Sequence, residues 1–358
     1  MLVLGIESSC DDTSVALLDC TDQGCFVISE GTISQIDVHQ KYGGVVPEIA
    51  GRMHAEKIIP LIEQVLKNQP RPDTIAVTVG PGLITGLIVG AEATRTLSYT
   101  WNIPLVAVNH ISGHINAVEV GEQKIEYPAL ALIVSGGHTE IMLIKSEGEF
   151  ELLGATKDDA AGECFDKVAK LLKLTYPGGP KISALAKEGR TDAIPFPRPM
   201  IKSHDYDFSF SGLKTSALYW LRDNKLATMN TTPLRTMFSW MPSRYGQAAG
   251  PITINDFCAS FEQAIVDVLT EKTLNAINKF KPKTVILAGG VAANTKLRET
   301  LDFKIKQLLS PPQFLVPEIK YCMDNAVMIA VAGYKKAVKK DFTAWKDLKV
   351  DPNWELGR

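Results

Sequence analysis

One strand–turn–strand pattern occurs twice in this chain of 358 residues, and the repetition constrains the fold more than any other feature of the sequence. The first copy, GIESSCDDTSVALL, begins at Gly5, and the second, LIVSGGHTEIMLI, begins at Leu132. In each copy two apolar runs flank a tight turn of small residues, whose main-chain N–H groups are suited to binding a phosphate or a carboxylate. The repetition indicates two related halves, with chance similarity between two hairpins as the alternative.

Short apolar runs alternate with amphipathic stretches along the rest of the chain. The predicted strands are Leu2–Ile6, Ile75–Val79, Leu105–Val108, Leu130–Val134 and Val285–Ala288, and the predicted helices are Ile49–Leu66, Gly86–Tyr99, Ala160–Leu172, Phe257–Phe280 and Asn325–Lys336. Such alternation favours an α/β fold in which helices cover the sheets. The length is sufficient for two hydrophobic cores, so we expect two domains.

Composition favours a soluble globular chain, with 45% hydrophobic and 22% charged residues. The cytoplasm is the expected location, on the export-signal and cysteine patterns that follow. The apolar segment from Met1 to Cys10 has no basic flank and runs into acidic residues, so no export signal is predicted. The longest apolar stretches, such as Leu83–Ala91, are too short to span a bilayer. The six cysteines form no CxxC pair and are expected to be reduced thiols.

The charge distribution limits how the chain could bind a nucleic acid. Because the formal net charge is -2, any such contact must use a local basic patch. Between Lys167 and Lys225 there are eleven Lys or Arg residues and five Asp or Glu residues. This segment is the candidate patch, with an ordinary solvated surface as the alternative.

The segment Asn224–Asn255 lacks a sustained period and is predicted to be a long surface insertion. Its Trp240, Met241 and Tyr245 could contact a partner. A locally folded loop with its own small apolar plug is the alternative.

Two histidines are the first candidate metal ligands. His110 and His114 follow a predicted strand and lie four residues apart, so in a helix both imidazoles project from one face. Structural histidines at this spacing are the alternative. Because Ile111 stands where an HExxH metalloprotease has its catalytic Glu, a peptidase is disfavoured.

Asp324 is the candidate third ligand, since it directly precedes an apolar helical run. An ordinary helix N-cap is the alternative for an aspartate in this position. A set of two histidines and one carboxylate leaves coordination positions open for substrate oxygens and suits iron or zinc.

Three further segments are candidates for substrate binding. Ser135, Gly136 and Gly137 follow a strand and let main-chain amides approach an anion, although a plain hairpin turn is the alternative. The AGGVAAN turn ending at Asn294 joins a strand to a helix, a geometry that can hold a nucleotide. In TKDDAAGECFDK, Asp158 or Asp159 is expected to cap the helix that starts in this segment, and Asp166 could accept hydrogen bonds from ribose hydroxyls or lie exposed to solvent.

Together these segments resemble one family along nearly the whole chain, the bacterial TsaD group of tRNA N6-adenosine threonylcarbamoyltransferases. The strings that carry the resemblance are GIESSCDDTSVAL, HQKYGGVVPEIAGRMH, GPGLITGLIVG, NHISGHI, LIVSGGHTE, LLGATKDDAAGECFDKVAKLL, YPGGP, FSFSGLKT, AGGVAANTKLR and the segment containing Asp324. Two features depart from the family pattern. Ser183 stands where many members have Asp, and the Asn224–Asn255 stretch is longer than usual.

The resemblance implies a duplicated actin/Hsp70/sugar-kinase-like α/β fold with a cleft between two domains. The expected division is 1–109 and 110–340, with the insertion near 224–255 and a tail at 341–358. The resemblance also implies one divalent metal, Fe²⁺ or alternatively Zn²⁺, held by His110, His114 and Asp324. Family substrate contacts carry over to Ile133, Val134, Ser135, Gly136, Gly137, Asp166, Gly179 and Asn294.

The implied reaction transfers a threonylcarbamoyl group from threonylcarbamoyl-AMP to N6 of the adenosine next to the anticodon in tRNAs that read codons beginning with A. Asp11, in the first turn, is predicted to accept the amine proton or to order the outer shell of the metal. An aspartate that binds only its own backbone is the alternative. The implied helpers are a paralogous scaffold subunit (TsaB-like), an ATPase subunit (TsaE-like) and the enzyme that makes the adenylate.

Two other functions remain open at this level. An ATPase or phosphotransferase of the same fold would share the nucleotide cleft, but the histidine pair and Asp324 argue against it. A non-catalytic scaffold paralogue would be expected to lack the metal ligands, which this chain retains.

Overall fold

The computed structural model describes residues 1–224 and 252–357, and its first sheet contains five strands. The strands are β1 (Leu2–Glu7), β2 (Asp12–Thr21), β3 (Gly24–Ser34), β4 (Thr74–Gly80) and β5 (Leu105–Asn109). They lie in the order β3-β2-β1-β4-β5. The three strands β1 to β3 form an antiparallel meander, and β4 and β5 continue the sheet in parallel.

The second sheet repeats this plan. Its strands are β6 (Ala129–Val134), β7 (Thr139–Ser146), β8 (Glu149–Ala155), β9 (Thr284–Ala288) and β10 (Gln313–Leu315). The order β8-β7-β6-β9-β10 again combines an antiparallel meander with two parallel strands. The two predicted hairpins are therefore β1–β2 and β6–β7, which occupy the same position in each sheet.

Every predicted helix is present, with ends that differ by a few residues. The helices are α1 (Ile36–His39), α2 (Pro47–Leu66), α3 (Ile84–Trp101), α4 (His110–Asn116), α5 (Ala161–Leu171), α6 (Gly178–Ala186), α7 (Ser211–Asp223), α8 (Ile254–Phe280), α9 (Thr295–Lys306) and α10 (Ala326–Val338).

The start of α8 overlaps the predicted insertion. Thr253 and Asp256 form a capping box, in which the Thr253 hydroxyl accepts from the Asp256 N–H at 3.1 Å and the Asp256 carboxylate accepts from the Thr253 N–H at 2.9 Å. The helix therefore begins at Ile254, before the predicted end of the insertion. Trp240, Met241 and Tyr245 lie outside the described residues.

Two helices, α4 and α10, occupy the space between the sheets. On the first sheet, α2 and α3 cover one face and α10 the other. On the second sheet, α5, α7 and α8 cover one face, while the apolar side of α4 packs on the opposite face. Because α4 and α10 also contact each other, residues at the ends of these two helices meet between the halves.

Glycines allow α10 to approach the first sheet closely. A Cβ on Gly5 would overlap the carbonyl oxygen of Ala326, and a Cβ on Gly333 would overlap the Ala76 side chain. Residues beyond α10 also return to this sheet, where Thr343 bridges Leu105. The predicted division at 109 and 340 places α10 in the second half of the sequence, although its packing partner is the first sheet.

Two local expectations are wrong. Cys20 and Cys25 form a disulfide across the β2–β3 turn instead of remaining reduced. They are paired positions of the hairpin, with a Cα–Cα distance of 4.0 Å, a proximity that their spacing in sequence did not reveal. Asp158 caps α7, not α5, and accepts from the N–H groups of Phe210 and Ser211 at 2.8 and 3.2 Å.

Among the described residues, no helix has both the length and the apolar character needed to cross a membrane.

Candidate metal centre and cleft

The two histidines lie on one short helix whose start is fixed by a side-chain cap. Asn109 ends β5, and its carboxamide oxygen accepts from the N–H groups of Ile111 and Ser112 at 2.9 and 3.2 Å. His110 and His114 therefore point from the same face of α4, with ring centroids 4.6 Å apart. Both side chains are buried.

Asp324 reaches these histidines from the segment before α10. Its Oδ1 lies 3.4 Å from His110 Nε2 and 3.1 Å from His114 Nε2. The alternative of an N-cap is wrong, because Asn325 caps α10 by accepting from the Met328 N–H at 2.9 Å. Asp324 is thereby free to face the two imidazoles.

Glu7 orients His110 from behind, a role that the sequence did not suggest. Its Oε2 lies 3.1 Å from His110 Nδ1 and accepts from the Thr78 hydroxyl at 2.5 Å. The Ser9 hydroxyl also lies 3.1 Å from the same ring nitrogen. Outer partners of this kind fix the ring orientation of metal-binding histidines. The available signal was an acidic residue at the end of an otherwise apolar strand.

The electrostatics of the cluster favour a positive charge at its centre. Burial opposes a charge on His110, but the carboxylates of Asp324 and Glu7 raise the pKa of His110 to about 10. Burial also acts against the charged form of Asp324, yet the adjacent His110 holds the pKa of Asp324 well below its ordinary value. For His114, burial dominates and lowers the pKa.

The cluster has the donor set of a divalent transition-metal site. The ligand atoms of His110, His114 and Asp324 all lie within 4.8 Å of one another. His114 Nδ1 is buried without a hydrogen-bond partner among the described residues, so hydrogen bonding holds this ring only through its Nε2 contact with Asp324. Two imidazole nitrogens and one carboxylate oxygen can hold a metal ion here, and iron or zinc suits such ligands.

A cleft of about 930 Å³ opens beside this cluster. The first turn contributes residues from Ser9 to Asp12, and the second contributes residues from Ser135 to His138. Asp166 and Asp324 also line the cleft. The structure thus brings most of the predicted site residues to one cavity between the halves.

The second turn presents an open, glycine-lined surface. The Ser135 hydroxyl closes the turn by accepting from the Gly137 and His138 N–H groups at 3.3 and 3.0 Å. A Cβ built on Gly136 or Gly137 would meet nothing within 4 Å. The side chains of Ile133 and Val134 are buried in the two cores on either side of β6, so only their main chain can face a ligand.

Asp166 points into the cleft and is not a solvent-exposed helical residue. Its Oδ1 accepts from the Gly178 N–H at 2.7 Å, at the start of α6. Burial raises the pKa of Asp166, although the N–H groups of Gly178 and Gly179 act in the opposite direction. These contacts hold the carboxylate in one orientation.

Asn294 is not brought among the residues that line the cleft. Its oxygen caps α9 by accepting from the Leu297 N–H at 2.8 Å. Its amide nitrogen donates to Glu262 at 2.6 Å and to Ser183 at 2.9 Å. Ser183, which stands where many family members have Asp, therefore belongs to one hydrogen-bonded network with Asn294 and Glu262.

Two adjacent aspartates, Asp11 and Asp12, lie in the first turn and line the cleft. Burial raises the pKa of Asp11, and the negative charge of Asp324 adds to this effect. Burial likewise raises the pKa of Asp12, to about 7. Asp12 Oδ1 is buried and has no hydrogen-bond partner among the described residues. Asp12 is thus a second carboxyl group of the cleft that the sequence did not single out.

Solved structures with the same fold include HypF. Full-length HypF in its phosphate- and nucleotide-bound form matches 96% of this chain with a TM-score of 0.58 at 12% identity. HypF from T. kodakarensis matches 98% with a TM-score of 0.56 at 13% identity. The chain spans about half the length of either protein, 47% and 49% respectively. At this identity the likeness shows the fold alone, and it agrees with the predicted duplicated actin/Hsp70/sugar-kinase-like fold.

Sequence comparison places the chain in a family. The TsaD family, described as tRNA N6-adenosine threonylcarbamoyltransferase, matches residues 26–331. Proteins of that name from Listeria innocua and Bacillus subtilis are 45% and 43% identical to this chain, over 93% and 99% of its length and 90% and 96% of theirs. The protein of that name from Anaeromyxobacter dehalogenans is 42% identical over 99% of both chains. The chain belongs to the tRNA N6-adenosine threonylcarbamoyltransferase family.

Proposed function

We propose that this chain transfers the threonylcarbamoyl group from threonylcarbamoyl-AMP to N6 of the adenosine adjacent to the anticodon, in tRNAs that read codons beginning with A. One observation carries the proposal. The imidazoles of His110 and His114 meet the carboxylate of Asp324 beside a glycine-lined turn, in a cleft formed by both halves. Family membership supports the same activity.

The proposed metal is Fe²⁺, with Zn²⁺ as the alternative, held by His110, His114 and Asp324. When bound, it would supply a Lewis acid that orients and polarises the adenylate. Glu7 supports the site by fixing the ring of His110 through a contact of 3.1 Å.

The remaining residues bind and orient the substrate. The turn Ser135–Gly137 and the main chain of Ile133 and Val134 would face the acyl phosphate part of the adenylate. Asp166, oriented by the Gly178 N–H at 2.7 Å, would accept from the ribose hydroxyls. Gly179 and Asn294 are the other positions that the resemblance assigns to substrate contact.

The chemical step forms one bond and breaks another. The N6 amine attacks the carbamoyl carbon, the bond from that carbon to the phosphate oxygen breaks, and AMP leaves with the electron pair. Asp11 accepts the proton that the amine loses, or else orders the outer shell of the metal. Its position in the cleft lining supports either role.

The proposed partners are tRNA, a paralogous scaffold subunit, an ATPase subunit and the enzyme that makes the adenylate, all acting in the cytoplasm. The ATPase or phosphotransferase alternative and the non-catalytic scaffold alternative are not favoured by the family match. The retained metal-binding cluster also disfavours a scaffold role.

The decisive experiment is reconstitution with the helper proteins, unmodified tRNA, threonine, bicarbonate and ATP, followed by mass analysis of the nucleosides. We expect threonylcarbamoyladenosine from the wild type and a rate lower by about 100-fold or more when His110→Ala and His114→Ala are combined. Full transfer by the double variant would contradict the metal role.

Asp11→Asn tests the proton acceptor in single-turnover transfer with bound metal measured in parallel. An unchanged rate with intact metal would remove Asp11 from the mechanism. A lower rate with reduced metal would assign it to the outer shell instead.

A further inference from the structure

We propose that the rim of the cleft formed by Lys41, Tyr42, Lys170 and Lys173 docks the single-stranded anticodon loop of the tRNA, with Tyr42 as a stacking platform for a base that neighbours the modified adenosine. This inference rests on the proposed function and adds the surface on which the RNA sits. We refer to these four residues as the rim.

The rim lies where the two halves approach each other. Gln40, Gly43 and Gly44 of the first half line the cleft, as do Lys167 and Lys170 of α5. A Cβ built on Gly43 would lie 3.4 Å from Lys170 Nζ. Tyr42 is therefore held next to the cleft, directly before a glycine pair that closely approaches the opposite half.

Tyr42 presents an exposed ring on a well-anchored support. Its side chain is 59% exposed, and the described residues provide no aromatic or cationic partner for the ring. By contrast, exposed Tyr99 packs against Trp345 with ring centroids 5.0 Å apart. The support is the preceding His39, which is buried and whose Nε2 is hydrogen-bonded to Gln35 Oε1 at 3.1 Å.

The charges of the rim fit a polyanion. Lys41, Lys170 and Lys173 are exposed, and no carboxylate of the described residues lies within ion-pair distance of them. Neighbouring Lys167 differs, because it is paired with Asp159 at 2.7 Å and with Glu163 at 2.9 Å. Phosphates of a single strand are the natural partners of unpaired lysines beside an aromatic ring.

The structure also divides the basic patch that the sequence predicted between Lys167 and Lys225. Several of its cations are neutralised by carboxylates, namely Lys167, Arg190, Arg198, Lys214 and Arg222. Lys170 and Lys173 are unpaired members that lie at or near the cleft. The proposed RNA contact therefore uses only the unpaired lysines of this segment near the cleft, not the whole Lys167–Lys225 segment.

The reaction itself requires a surface of this kind. The target adenosine must leave the base stack of the loop for its N6 amine to reach the cleft. Its neighbours then lose a stacking partner at the entrance. A tyrosine ring at that entrance replaces the lost stack without selecting a particular base.

The test uses the full chain with its helper proteins and a labelled anticodon stem-loop, with a fluorescent base analogue next to the target adenosine. We expect Tyr42→Ala to weaken stem-loop binding about ten-fold and to abolish the stacking-dependent fluorescence quenching. Tyr42→Phe should restore both. Phe303→Ala is the matched control, because Phe303 is 63% exposed and does not line the cleft.

The lysines have a separate readout in the salt dependence of binding. Lys170→Ala and Lys173→Ala should each reduce the slope of log affinity against log salt by about 0.7, the value for one phosphate contact on a single strand. In transfer assays, all rim variants should raise the RNA concentration for half-maximal rate more than they lower the maximal rate.

The outcomes separate this inference from the proposed function. A wild-type reaction that yields no modified nucleoside contradicts the function. A wild type that modifies tRNA while Tyr42→Ala retains its stem-loop affinity and quenching overturns the rim. Loss of scaffold-subunit binding by Tyr42→Ala, with RNA affinity unchanged, would make the rim a protein contact and would overturn the inference equally.

Discussion

The two hairpin turns occupy the same place in their sheets yet have opposite chemistry. Glu7 ends β1 and pairs with Ser14, while Val134 ends β6 and pairs with Thr139. The turn after Glu7 carries the acidic residues Asp11 and Asp12. The turn after Val134 carries glycines whose Cα atoms face open space.

The contrast shows that the two copies of a duplicated fold can carry different side chains at equivalent positions. Both halves share the same strand order, so the strand order alone does not show where the functional residues lie. An acidic residue at the end of β1 reaches His110 in the candidate metal-binding cluster, whereas the equivalent Val134 is part of a core. The second turn instead presents main-chain groups beside open space in the cleft lining.

The largest expected effect concerns packing behind the first turn. A Cβ on Gly86 of α3 would overlap the carbonyl oxygen of Ser8. We therefore expect Gly86→Ala to lower the free energy of unfolding by about 3 kcal/mol, since neither backbone segment can move away freely. Gly136→Ala, in the open turn, should change it by less than about 0.5 kcal/mol. Urea unfolding of both variants checks the contrast, and equal losses would contradict it.

Next in size is the effect of the acidic residue itself. Glu7→Gln keeps the shape but removes the charge that orients His110, so metal affinity should fall by about 100-fold. Competition with a chelator measures the affinity. Val134→Ala, at the equivalent position of the second sheet, is the control and should leave metal affinity unchanged. Equal affinity of Glu7→Gln and the wild type would show that the two strand ends do not differ in function.

A smaller effect follows from burial of Asp12. Its pKa is raised to about 7, so its negative form is disfavoured in the folded state. The wild type should lose stability as pH rises from the ordinary pKa of a carboxyl toward 7, and Asp12→Asn should lose less, because only the contribution of Asp12 is removed. Above pH 7, with metal removed from both proteins, Asp12→Asn should be more stable than the wild type by on the order of 2 kcal/mol, and the two stabilities should converge at about pH 4. Urea unfolding of both proteins in the presence of chelator, at about pH 4 and above about pH 7, tests this.

The smallest effect is expected from filling the open turn. Gly136→Val should raise the adenylate concentration for half-maximal transfer by about ten-fold, because the new side chain occupies space beside the main-chain amides. Stability should change little, since a Cβ there meets nothing within 4 Å. Transfer kinetics unchanged by this variant would mean that the adenylate lies elsewhere in the cleft.

Local pattern predicted the elements well and the site only in part. His110 and His114 could be placed on one face because a spacing of four residues fixes their relation within a helix. Sequence spacing could not assign the roles of four other residues, namely Glu7, Asp12 and the disulfide partners Cys20 and Cys25. Their roles depend on neighbours across a sheet or across the cleft, which no periodicity specifies.

By itself the sequence determined the repeated hairpin, the alternation of strands and helices, and the pairing of two imidazoles on α4. Only the tertiary structure decided that Asn325 caps α10 while Asp324 turns toward those imidazoles, 210 residues away from His114. The reason is that dihedral preferences and apolar periods act within a few turns of chain. The meeting of α4 and α10 instead depends on how closely Gly5 and Gly333 let a helix lie on a sheet formed by distant residues.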